Sequence, residues 1–221
     1  IETDIFNVRS QEETSSIVEI CDKIEEEFHA LWDIYEGKVE VGIPTGFAQL
    51  DSYTGGLKPG EMFVLAARPS IGKTSLALNV IRNLALPTRS PRPRKVAFFS
   101  LEMTAEQIAR RLLCTEAGLS ESVFWNKSFQ ASELTRLTGA VAAFKKAKIF
   151  IDPTGGITIA ELRAKARRLK LKENIDVIVI DYLQLMHADG RVDSRQQEVA
   201  EISGGIKKLA KDLKVPVLVL A

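Results

Sequence analysis

Residues 66–75 read AARPSIGKTS and follow directly on the apolar run Met62 to Leu65. A short strand that ends in a tight loop carrying Gly72, Lys73 and Thr74, and then opens a helix, is the layout of a phosphate-binding P-loop. In that layout the backbone N–H groups of the loop and of the first helical turn point inward at phosphate oxygens. The roughly half positive charge of the helix N-terminus assists them. The candidate nucleotide-binding residues are therefore Ala67, Arg68, Pro69, Ser70, Ile71, Gly72, Lys73, Thr74 and Ser75. Gly72 lets the backbone come close to the phosphates, and Lys73 reaches the β- and γ-phosphates as a point charge. The Thr74 hydroxyl is a ligand for the Mg²⁺ that bridges them. One position departs from the consensus G-x-x-x-x-G-K-S/T, because Ala67 stands where glycine is usual. The plainer reading of the same residues is a lysine-bearing loop at a helix start.

Hydrolysis of a nucleoside triphosphate needs a second acid on the metal side and a group that orients or deprotonates water. Asp181 follows the apolar run Val177 to Ile180, the pattern of a Walker B aspartate that holds Mg²⁺ through water. An acid at the end of a buried strand also serves elsewhere as a helix cap or ion-pair partner. Glu102 stands two residues beyond Phe98-Phe99-Ser100 and is the candidate general base. Its other reading is a first-turn glutamate favoured by the helix dipole. In an open parallel sheet the ligand lies outside the carboxyl ends of the strands, so Lys73, Glu102 and Asp181 are expected to share one crevice.

The elements that must position these residues are legible as an alternation. Strands are expected over Met62–Ala67, Lys95–Ser100, Lys148–Asp152, Asp176–Asp181 and Val215–Leu220, with helices starting near Lys73, Thr104, Ala131, Thr158 and Ser194. Thr104 with Gln107, Thr158 with Glu161 and Ser194 with Gln197 read as capping boxes. Val177 to Ile180 is apolar on both faces, as buried parallel strands are. The fold class is α/β, a mostly parallel sheet flanked by helices. Pro87 to Pro93 reads as an exposed linker loop. Ahead of this domain, Ile17, Cys21, Ile24, Phe28, Leu31, Trp32 and Tyr35 recur at helical spacing, and Ser16 with Glu19 forms a capping box. That helix packs either on its own domain or on a neighbouring subunit. The division is a linker segment over 1–40 and an ATPase-like domain over 41–221. The chain stops at Ala221, on an apolar strand with no turn after it, which reads as a domain incomplete at its C-terminus.

At 221 residues, 45% hydrophobic and 27% charged, the sequence is that of an ordinary globular protein with one substantial core. The net charge of +1 gives no global electrostatic argument for nucleic acid. The helical run Arg163, Lys165, Arg167, Arg168, Lys170 and Lys172, and the cluster Arg89, Arg92, Arg94 and Lys95, read first as solvated faces. Neither is interleaved with aromatic residues as a stacking platform would be. Cys21 and Cys114 have no metal or redox spacing and fit reduced residues of a cytoplasmic protein. His29 and His187 are the only histidines, which excludes a multi-histidine metal site. No apolar run approaches the ~20 residues of a membrane span.

Four ordered motifs resemble one family. Ala67-Arg68-Pro69-Ser70-Ile71-Gly72-Lys73-Thr74, Phe98-Phe99-Ser100-Leu101-Glu102-Met103, Ile180-Asp181-Tyr182-Leu183-Gln184-Leu185-Met186 and Arg195-Gln196-Gln197-Glu198 are similar to successive motifs of DnaB-type replicative DNA helicases, in their RecA-like ATPase domain. The lead-in Gly42 to Phe47, with Asp51, Gly55-Gly56-Leu57 and Pro59-Gly60, resembles the entry to that domain. The resemblance accounts for Ala67, since the family's loop begins A-R-P, and implies that Glu102 is the catalytic base. It implies ATP and Mg²⁺ as cofactors and single-stranded DNA as the track. It further implies a hexameric ring, with a primase and a helicase loader as partners. It turns the N-terminal helix into a linker that packs on the adjacent subunit. The resemblance further implies that the family's N-terminal domain is missing from this sequence, and that the sensor glutamine, the arginine finger and most of the DNA-binding loop are expected beyond Ala221. Other RecA-like ATPases, of recombination or clock type, share the lead-in, but their loop more usually begins with glycine. A nucleotide-dependent assembly module with little turnover is the non-enzymatic alternative. Gly204-Gly205 falls inside a helical pattern and reads as a local break or a peculiarity of this sequence.

Overall fold

The computed structural model describes residues 19–125, 130–182, 186 and 194–221. The chain divides between Val41 and Gly42 into two compact units. The first contains helix α1 (Ile20–Tyr35), whose N-cap Glu19 makes no side-chain cap. The expected start at Ser16, and so the capping box, lies outside the described residues. Ile20, Ile24, Phe28, Leu31, Trp32 and Tyr35 are all more than half exposed, Tyr35 at 83%. An apolar stripe at helical spacing is thus turned to solvent.

The second unit contains, in order, α2 (Ala48–Thr54), β1 (Met62–Leu65), α3 (Lys73–Ala85), β2 (Val96–Ser100) and α4 (Ala105–Ala117). A 3₁₀ turn (Glu121–Phe124), α5 (Ala131–Phe144), β3 (Ile149–Asp152), α6 (Ile159–Glu173), β4 (Val177–Asp181), α7 (Arg195–Leu213) and β5 (Val217–Leu220) follow. The five strands form one sheet in the order β1-β5-β4-β2-β3. Every pairing is parallel. All five carboxyl ends therefore emerge on one edge, and Ser100 sits directly beside Asp181 in the register.

The core lies on both faces of the sheet, which is why β4 is apolar from Val177 to Ile180. Ile178 and Ile180 pack with Leu162, Ile202 and Ile206 of α6 and α7. Val177 and Val179 pack on the other face with Ala77, Leu78 and Ile81 of α3 and Ile108 of α4. Each fully buried aliphatic side chain contributes about 1.5–3 kcal/mol relative to exposure, so this central strand anchors the position of Asp181 at its end. The expected strands each begin one or two residues late or end early, at the loop boundaries. The boxes at Thr104 and Thr158 form in full, whereas Ser194 accepts from Gln197 N–H without the return bond among the bonds described. A further box, Gln130 with Glu133, opens α5.

The expectation of a break at Gly204-Gly205 is corrected: α7 runs unbroken from Arg195 to Leu213. A Cβ on Gly205 would lie 2.5 Å from Ile159 Cγ1, at the start of α6, whereas a Cβ on Gly204 would meet nothing within 4 Å. Gly205 is present because α6 and α7 approach too closely for a side chain there. No packing reason exists for Gly204. Among the described residues no helix is long and apolar enough to cross a membrane.

Candidate functional site

The loop 66–72 leaves the sheet at β1 and turns back into α3. Two residues make the turn in the left-handed region, Ser70 at φ 65° and Gly72 at φ 107°. A Cβ on Gly72 would meet no atom within 4 Å. Its glycine is required by backbone conformation, and the space in front of it is left clear for a ligand. Gly72 is the N-cap of α3 and supplies no side-chain cap. The first N–H to find a helical partner is that of Leu76, donated to Gly72 O at 2.9 Å. The N–H groups before it are those a helix leaves unsatisfied at its start, aimed along the positive end of the dipole. The loop is braced from the sheet: Ala221 N–H donates to Leu65 O at 3.0 Å and Ala67 N–H to Ala221 O at 3.3 Å.

A cleft of about 650 Å³ opens at this edge, lined by Ala67, Pro69, Ser70, Gly72 to Ser75, Glu102, Arg111, Asp181, Tyr182 and Ala221. Lys73, Glu102 and Asp181 thus stand in one crevice, from the ends of β1, β2 and β4. Arg68 and Ile71, counted with the loop from sequence, do not line it, and Ile71 is 73% exposed. The Lys73 ammonium donates to Ala67 O at 2.8 Å, which holds it folded over the loop. The Thr74 hydroxyl donates to Asp181 Oδ2 at 2.8 Å. Glu102 rides on a tight turn clamped by Ser100, whose hydroxyl donates to Met103 O at 3.1 Å and accepts from Met103 N–H at 3.2 Å.

Asp181 is 1% exposed. Burial pushes its carboxyl above the ordinary carboxylate range, and the charge of Glu102 pushes the same way. The Thr74 hydrogen bond and the charges of Lys73 and Arg111 oppose them. A buried carboxylate with a hydroxyl as its only described side-chain hydrogen-bond partner is short of positive charge. Two hard oxygens 2.8 Å apart at the mouth of a cleft are the donor set that a magnesium ion takes, with its remaining positions filled by water and phosphate. The residues present therefore fit Mg²⁺.

Arg111 is a member of the cleft that sequence reasoning missed. It lies on α4, and its guanidinium pairs with Glu121 Oε1 at 3.4 Å. Arg110 beside it lies over the rings of Phe124 and Trp125, 5.2 Å from each centroid. The signal in the sequence was only a cation two turns along the helix that follows a strand-end acid. Much of the basic run on α6 is structural: Arg163 and Arg167 both meet Asp212, Lys165 meets Asp152, and Lys170 donates to Ile175 O. Among the described residues no group of three or more His, Cys, Asp or Glu could hold a metal. His187 and Leu183-Gln184-Leu185 lie outside the described residues.

Residues 42–221 match the family model described as the DnaB-like helicase C terminal domain. The replicative DNA helicase DnaC of Bacillus subtilis is 40% identical over 222 residues, covering 100% of this chain and 48% of that protein. The replicative DNA helicase DnaB of Geobacillus stearothermophilus is 44% identical over 181 residues, covering 81% of this chain and 39% of that protein. The chain thus spans about half or less of the length of these relatives. Among solved structures, an ATPase domain superposes with a TM-score of 0.79 at 29% identity, over 89% of this chain and 70% of that one. A DnaB-like replicative helicase, studied with its interactions with primase, superposes with a TM-score of 0.77 at 29% identity, over 89% of this chain and 47% of that one.

Proposed function

The chain belongs to the DnaB-like helicase C-terminal domain family, and from that premise we propose that it is the ATP-hydrolysing motor of a replicative DNA helicase. The observation that carries the reading is the cleft itself. An uncapped helix start, Lys73, a Thr74–Asp181 oxygen pair and Glu102 face one space of about 650 Å³. Thr74 and Asp181 would hold Mg²⁺, which when bound would supply positive charge to the β- and γ-phosphates. The backbone N–H groups of Gly72 to Ser75 bind phosphate oxygens. Lys73 leaves Ala67 O and places its ammonium on the β- and γ-oxygens. Glu102, held out over the cleft by the Ser100 clamp, orients the attacking water and accepts its proton. Arg111 stands on the same side as Glu102 and adds positive charge where negative charge accumulates in the transition state.

The exposed apolar stripe of α1 supports the linker reading, in which this helix docks on an adjacent subunit of a hexameric ring. In this reading single-stranded DNA is the track, and the family likeness supports primase and a loader as partners of the full-length, cytoplasmic protein. The test is the ATPase rate and oligomeric size of the full gene product, with and without single-stranded DNA, beside Lys73→Ala and Glu102→Gln. A hexamer stimulated by DNA is expected. Lys73→Ala should lose nucleotide binding, and Glu102→Gln should retain it while losing turnover by about 10²–10⁴-fold. A monomer indifferent to DNA refutes the motor reading, and a nucleotide-dependent oligomer without turnover would make it an assembly module instead.

A further inference from the structure

A second groove of the same unit lies away from the phosphate site. It has a volume of about 780 Å³ and runs between the outer strand of the sheet and α6, lined by Phe150 and Asp152 of β3 and by Lys165, Arg168, Leu169 and Lys172 of α6. β3 is the last strand of the sheet. Val96 pairs with Ile149, and Val96 N–H donates to Lys148 O at 2.9 Å. In a parallel ladder the direction alternates along the strand. Lys148, Phe150 and Asp152 therefore turn their main-chain groups to β2, and Ile149 and Ile151 turn theirs outward. Among the described residues nothing pairs with that outer edge. An open edge with a groove beside it is a template for another strand.

The charge along the groove is polarised. At the carboxyl end of β3, Lys165 is occupied by Asp152 Oδ2 at 2.7 Å and by Thr154 Oγ1 at 2.9 Å. Because α6 returns antiparallel to β3, Arg168 and Lys172 lie towards the strand's amino end. Both are exposed, and neither has a carboxylate partner among the described residues. Four helical residues rise about 6 Å, close to the roughly 7 Å between same-face side chains of an extended chain. Phe150 and Leu169, both half-buried, floor the groove between the charges.

We propose that this edge receives an extended acidic and apolar peptide of a partner protein, which adds to β3 as a further strand. Its main chain pairs with the outward groups of Ile149 and Ile151. Carboxylates two residues apart meet Arg168 and Lys172, and an apolar side chain covers Phe150 and Leu169. At the opposite end Lys165 is already neutralised by Asp152 and offers nothing to an acid, which fixes the peptide's direction. Nucleic acid fits less well, because alternating N–H and C=O groups match a peptide backbone and the groove has no exposed aromatic face for a base. The proposal is independent of the ATPase reading.

The test uses fluorescence anisotropy with a labelled octapeptide of alternating glutamate and valine. Its controls are the lysine–valine counterpart, the glutamate–valine peptide N-methylated at alternate residues, and an oligo-dT. Binding of the glutamate–valine peptide is expected, weakened about tenfold in Arg168→Glu/Lys172→Glu and about as much by N-methylation, with ATPase activity unchanged. Equal binding of the N-methylated or the lysine peptide overturns the proposal. So does oligo-dT binding lost in the double variant without peptide binding. Self-association of the chain that this variant abolishes would assign the edge to a second copy and overturn it as well.

Discussion

The paired glycines of α7 separate helix propensity from helix packing within two adjacent residues. Gly204 is exposed in a helix interior, and an added Cβ would touch nothing within 4 Å. Gly204→Ala therefore acts through backbone entropy alone and should stabilise by about 0.8–1 kcal/mol. Gly205→Ala gains the same term but drives its Cβ to 2.5 Å from Ile159 Cγ1 and 3.1 Å from Cδ1. Ile159 is 4% exposed and packs in the core beneath α6. Its β-branched side chain is stiff at χ1 and cannot swing aside cheaply. Overpacking of this kind costs about 1–3 kcal/mol, so the net effect is a loss of about 0–2 kcal/mol. The two variants should differ by about 1–3 kcal/mol, or several degrees in Tm for a chain of this size. Urea denaturation followed by circular dichroism measures both. Adding Ile159→Ala to each should rescue Gly205→Ala relative to additivity and leave Gly204→Ala additive. Equal stabilisation by the two alanines, or no coupling to Ile159, would refute the close approach of α6 and α7.

Arg111→Ala should lower ATP turnover by about 10²–10³-fold, the loss seen when one transition-state donor is removed. Its half-exposed pair with Glu121 is worth at most about 1 kcal/mol of stability, so steady-state kinetics beside a melt distinguishes the roles. A large fall in Tm with unchanged turnover would make Arg111 structural. Asp152 gives a pH signature away from the site. Burial raises its pKa, but the Lys165 and Thr154 hydrogen bonds and the Lys165 charge outweigh it and hold the carboxyl below its ordinary value. A depressed folded value means stability that is present above the unfolded pKa of about 3.9 and lost as pH falls from there through the folded one. Asp152→Asn should therefore be destabilised at pH 7, with the gap to wild type closing only below about pH 4. A gap independent of pH would deny the ion pair any role.

How far the structure could be read from the sequence depends on the range of the interaction involved. Val177 to Ile180 announces a strand buried on both faces, and Thr104 and Thr158 announce helix starts, because each signal is contained within a few residues. The sharing of one crevice by Lys73, Glu102 and Asp181 was also legible, since a parallel sheet puts every carboxyl end on the same edge. α2 was missed because its seven residues are too few for a period. What defines it is Asp51, whose carboxylate accepts from Thr45 N–H, the Thr45 hydroxyl and Gly46 N–H across the preceding turn. Arg111 and Gly205 were illegible for a different reason. Each takes its meaning from a residue on another element, Asp181 across the cleft and Ile159 on α6, and nothing in the local pattern of α4 or α7 encodes those distances. The same distinction governs the phosphate loop. The chemistry proposed for it is spelled out by Gly72, Lys73 and Thr74, but the state of its central acid is not. Asp181 is pushed above the ordinary carboxylate range chiefly by its burial at the end of β4, so the packing that anchors the aspartate also favours the cation proposed beside it.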